Sequence, residues 1–215
     1  MARRRGRKPS EYRRRGPVRE PYDYILIICE GGKTEPNYFK RLCAVHGLSN
    51  ANVEITGADG TDPVSVVNFA VGKHDEHDRV YCVFDRNGHA NFKQALQLIV
   101  NSELGKKGVL RAVTSTPCFE VWVLLHYAYS MAPFSAVGNE SSCDRVLKAI
   151  KPHFSSYSKG NKNVYDALSS KLEQATKNAK QLTKYNRGSG SINPATDIHD
   201  LVEYLRKLKP KKAMA

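Results

Sequence analysis

The sequence predicts an α/β fold, a parallel sheet flanked by helices with a helical C-terminal addition. Short apolar runs rich in β-branched residues alternate four times with segments of helical periodicity, the pattern of strands joined by right-handed crossovers. The first run, YILIIC over 24–29, is apolar at every position, as a strand covered on both faces must be. The first and third runs each stop at a carboxylate, Glu30 and Asp85. Open α/β sheets bind ligands just beyond the carboxyl ends of their strands, so both acids stand where a site is expected.

Residues 1–20 form a basic arm with Arg3, Arg4, Arg5, Arg7, Lys8, Arg13, Arg14 and Arg15 and hardly any apolar side chain. It has too little surface to bury to fold alone. Its charge has one sign, which favours attachment to a phosphate backbone over a merely solubilising tail. Residues 21–130 carry the strand and helix alternation. After the first strand, Gly31 and Gly32 permit a tight turn, Thr34 is expected to cap a helix, and Glu35 and Pro36 suit its first turn. That helix is predicted over 35–46 from Tyr38, Phe39, Leu42 and Val45, with Gly47 ending it. A second strand follows over 53–56, a helix opened by Pro63 over 63–74, and a third strand over 79–84. Further on come a helix over 89–103, a strand over 108–113 and a helix over 117–127 with the only tryptophan, Trp122.

Residues 131–215 are expected to form a helical extension packed on the sheet: a loop over 132–142, then helices over 143–150, 164–182 and 197–208, the last two separated by a Gly and Ser loop. Lys159, Lys162, Lys184 and Arg187, interleaved with tyrosines, are candidates for touching nucleic acid, although a solvated lysine face is the commoner origin of such a run.

The net charge of +13 favours an anionic partner, nucleic acid before membrane. No apolar run approaches the roughly 20 residues that span a bilayer, and no apolar segment follows the N-terminal charges, so a cytoplasmic protein without a membrane partner is expected. The five cysteines, Cys29, Cys43, Cys82, Cys118 and Cys143, are widely spaced in apolar stretches and read as core residues.

If the first and third strands are neighbours, Glu30 and Asp85 stand close enough for their repulsion to be relieved by a divalent cation. Asn87 is a weaker oxygen ligand nearby, and Arg86 and Lys33 can neutralise phosphate. Glu120 and Glu35 are further candidates, each with the ordinary alternative of an acid in a helix's first turn. Gly32, Lys33 and Thr34 look like the end of a phosphate-binding loop, but the position of its first glycine is Ile27, which argues against a nucleotide triphosphatase.

The blocks CEGGKTEPNYF at 29–39, VYCVFDRN at 80–87, STPCFEVWVLLHY at 115–127 and NPATDIHDLVEYL at 193–205 together resemble the RloB-like family. The sheet domain of that family is similar to Toprim domains, a Rossmann-like arrangement. The resemblance implies an acid after the first strand and a pair after the third that hold magnesium, positions met here by Glu30, Asp85 and Asn87, the last an amide where the pattern has an acid. It also implies a nuclease associated with restriction and phage defence. The expectation is therefore a magnesium- or manganese-dependent endonuclease on RNA, tRNA included, or DNA, with another defence-system protein as a candidate partner. The alternative is a catalytically reduced nucleic-acid-binding or sensing module.

Overall fold

The computed structural model describes residues 23–48, 53–58, 62–86 and 88–208. Five strands form one sheet in the order β2-β1-β3-β4-β5: β1 (Ile25–Cys29), β2 (Val53–Gly57), β3 (Arg79–Asp85), β4 (Leu110–Thr116) and β5 (Ala195–Thr196). The first four run parallel, and β5 is antiparallel to β4, pairing Ser115 with Thr196 and Thr116 with Ala195. The neighbour relation on which the site depends is present: β1 lies against β3 with Cys29 opposite Val83.

The helices are α1 (Thr34–Val45), α2 (Pro63–Lys73), α3 (Phe92–Asn101), α4 (Glu103–Lys106), α5 (Glu120–Leu125), α6 (Ser142–Ile150), α7 (Val164–Ser169), α8 (Leu172–Ser189) and α9 (Ile198–Lys207). Strand alternation sorts them. Ile25, Ile27, Cys29, Tyr81, Val83 and Val113 face a core shared with α1 and α5 to α9, whereas Leu26, Ile28, Val80, Cys82 and Phe84 face α2 and α3. Residues 25–29 are wholly buried, so the continuous apolar run is explained, each of its large side chains contributing roughly 1.5–3 kcal/mol relative to exposure.

Several local expectations differ. Thr34 is the first residue of α1 and makes no cap; its Oγ1 accepts the N–H of Gly160 at 2.8 Å. The segment 115–119 extends β4 and turns through a cis Thr116–Pro117 bond, which delays α5 to Glu120. The helix expected over 89–103 begins at Phe92, and Ser102 caps α4 separately, its Oγ accepting the Gly105 N–H at 2.9 Å. The helix expected over 164–182 breaks after Ser169, and its second part runs on to Ser189, where Gly190 takes the left-handed conformation that only glycine adopts cheaply. β5 was not expected at all. The five cysteines are buried and free, as their apolar settings predict.

Candidate functional site

Acids gather at the carboxyl edge of the sheet, and the pleat decides which face each one serves. Glu30 continues the alternation of Leu26 and Ile28, so it leans towards the α2 and α3 side. There its Oε1 lies 2.8 Å from His89 Nε2, and its Oε2 accepts the backbone N–H of Asp85 at 2.9 Å. Burial raises the Glu30 carboxyl above its ordinary value and Asp62 adds to this, against the opposing pull of the Asp85 N–H and His89. Asp62 itself caps α2, its Oδ1 accepting from Val64 and Ser65 at 3.0 and 3.3 Å.

Asp85 continues the alternation of Tyr81 and Val83 and faces the other way. Burial holds its carboxyl well above the carboxylate range, and Glu35 is the acid that adds most, ahead of Glu120 and Glu30; the Phe119 N–H offsets part of this. Glu35 is pushed up to about 7, first by burial and then by Glu120 and Glu30. Its carboxylate folds back over Gly31, where a Cβ would collide with it, so the glycine of this turn is a space requirement. Glu120 is 2 % exposed. It accepts the Tyr157 hydroxyl at 3.1 Å, and the Lys159 ammonium stands 3.6 Å from its other oxygen. Burial opposes the charge on Lys159, but Glu120 and the neighbouring acids and thiols outweigh it and raise the ammonium's pKa.

The sequence-predicted residues therefore divide. Asp85, Glu35 and Glu120 share one electrostatic neighbourhood, with Glu30 beside them across the sheet edge. Lys33 is exposed at the start of α1, its stem against Gly160, which ties the loop carrying Lys159 to the glycine turn; Asn37 Nδ2 also donates to the Gly160 carbonyl at 3.1 Å. Arg86 lies with its guanidinium 5.8 Å from the centre of the Phe92 ring. Lys159 sits at the acids, while Lys162, Lys184 and Arg187 are exposed, the last two on α8. Asn87 and the arginines and lysine of the arm lie outside the described residues.

Sequence reasoning missed Tyr157 as a partner of Glu120 and Asp62 as a neighbour of Glu30. The Asp-Pro pair at 62–63 carries a helix-start signal; nothing local marks Tyr157. His126 belongs to the core: its Nδ1 lies 2.8 Å from the Trp122 carbonyl, and burial lowers it to about 4. Among the described residues, no three His, Cys, Asp or Glu side chains are placed to hold a metal ion. No described helix is long and apolar enough to cross a membrane.

The family model for RloB-like proteins matches residues 25–205, from the first strand to the last helix. No curated protein and no solved structure matches the chain significantly.

Proposed function

The chain belongs to the RloB-like family, and we propose that it is a magnesium- or manganese-dependent endonuclease on RNA or DNA, acting in phage defence on a Toprim-like sheet. The observation that carries this reading is the crowding of Asp85, Glu35 and Glu120 at the carboxyl edge, with Asp85 and Glu35 both raised, in a chain of net charge +13. Acids forced together at a cost to their ionisation are a common mark of a functional site. The donors are hard oxygens, and magnesium is typically held by one or two carboxylates together with water and substrate phosphate, a set that Asp85 and Glu35 can begin.

Asp85 and Glu35 would hold the ion, with Glu30 at the sheet edge and Asn87, two residues after Asp85 in the chain, as a further oxygen ligand. When bound, a divalent cation lowers the pKa of an attacking water and offsets charge on the phosphate. Lys33 and Arg86 supply positive charge to the same phosphate. Tyr157 and Lys159 fix Glu120 at the side of the site, so Glu120 tunes its neighbours by charge.

A second reading, a binding or sensing module that does not cut, is favoured by the engagement of both Glu30 oxygens with His89 and the Asp85 N–H. Incubating the protein with tRNA, other RNA, single-stranded DNA and duplex DNA, with magnesium, manganese or chelator, separates the two. The nuclease reading expects chelator-sensitive cleavage of at least one substrate, lost in Asp85→Asn and Glu30→Gln. Binding without cleavage under every condition would establish the second reading in its place.

A further inference from the structure

We propose that a cleft beside the acids binds one unpaired nucleotide, so that the chain engages single-stranded or flipped-out nucleic acid in preference to a closed duplex; the choice of polymer rests on the nuclease reading. Two adjoining hollows, of about 370 and 340 Å³, share Arg86, Thr116 and Ile192. Arg86 follows Asp85 directly, and its N–H donates to the Ser115 carbonyl at 2.9 Å. The hollows thus begin at the carboxyl edge of β3 and β4. The second runs on to Phe92, Asn186 and Arg187.

Size, charge and surface agree on the occupant. The volumes lie near the lower end of the roughly 300–1,000 Å³ of small-ligand sites, the scale of a single nucleotide rather than of a duplex groove. Arg86 and Arg187 put two permanent cations on the walls. Lys180 on α8 and Arg206 on α9 are spent on Glu203 and Glu173, whereas Arg187 on α8 forms no ion pair with a described residue. Arg86 over the Phe92 ring offers the flat cationic surface on which bases stack, and Ile192, 57 % exposed, gives the cleft an apolar lip. Asn186, whose Nδ2 donates to the Pro194 carbonyl at 2.8 Å, fixes this wall of the cleft. Asp197 also lines this end, with Oδ2 taken by the Thr114 hydroxyl at 2.7 Å, so the phosphate belongs at the arginines and the base beyond them.

The test measures binding by the full chain in chelator, where nothing is cut, using labelled single strands of about six nucleotides, as RNA and as DNA, and blunt duplexes of the same sequence. The proposal expects one or both single strands to bind about tenfold or more tightly than their duplex, and Ile192→Asp to weaken that binding about tenfold without changing the melting temperature. Arg187→Ala should reduce the salt dependence by about one counterion. Ile192→Ser replaces the aspartate variant if that protein melts early. Equal affinity for duplex and single strand, or variants that bind like the parent, would overturn the proposal. A protein that binds in the expected pattern but cuts nothing fails the nuclease reading alone; one that cuts with metal yet ignores Ile192→Asp in both binding and KM fails this inference alone.

Discussion

Glu30 and Asp85 close neighbouring parallel strands, yet they occupy different surroundings because one extends the even and the other the odd side of the pleat. Asp85 is thereby committed to Glu35 and Glu120, and Glu30 to His89. The consequence at Glu35 is measurable. Its folded value of about 7 lies above its ordinary 4.5, so the native state holds more protons than the unfolded chain between those pH values. This contribution is fully present below about 4.5 and is lost as the pH rises through about 7. Asp85 and Glu30 act with the same sign, while His126, lowered to about 4, acts with the opposite one. In chelator, urea unfolding across this range should show Glu35→Gln losing less stability than the parent as pH rises; parallel curves would mean that Glu35 ionises freely. Glu30→Gln should leave the melting temperature nearly unchanged, since a raised carboxyl gives up little when made neutral and the amide oxygen can still accept the Asp85 N–H.

The glycine turn before α1 and the loop bearing Lys159 form one device, joined where Gly160 meets Lys33 and Thr34. Gly160 has φ +77° and would set a Cβ 3.3 Å from the Lys33 stem. Gly160→Ala should therefore destabilise the protein by roughly 1–2 kcal/mol from backbone strain, plus the cost of displacing Lys33. Gly47→Ala is the control, because Gly47 has φ +68° with nothing within 4 Å. Equal losses in denaturant for the two variants would remove any role for the Lys33 contact. Gly31→Ala should dislodge the Glu35 carboxylate and bring its pKa down, read by titration of the side chain. What the sequence made legible at this scale follows from period and punctuation: the first four strands, the face of α1 carrying Tyr38, Phe39 and Leu42, and the start of α2 at Pro63. It hid β5, whose two residues are strand only because β4 is there to pair with them. It hid the late start of α5 too, since Pro117 reads as the opening of a helix whereas the first helical residue is Glu120. Both acids were legible as strand ends, but their opposite faces were not, because relative parity depends on the register that sets Cys29 opposite Val83, which neither strand's own sequence contains.

At the scale of the molecule, one face of the sheet carries α2 and α3 and the other carries α1 with the C-terminal helices, whose buried residues share a single core with β1 and β3. The acids at the edge are bordered by both faces. Removing residues 1–20 should weaken nucleic-acid binding and flatten its salt dependence without lowering the melting temperature, because each phosphate neutralised by an arginine adds to the salt slope. An unchanged slope in a salt titration would confine the arm to another task. Whether the crowded acids form a divalent-cation site is decided by manganese titration in a calorimeter, run in two buffers of different ionisation heat. A cation site there gives saturable binding near neutral pH with release of on the order of one proton, because raised carboxyls must ionise to bind metal, and loss of that signal in Asp85→Asn. Absence of binding by the parent, or binding that Asp85→Asn leaves unchanged, would contradict it.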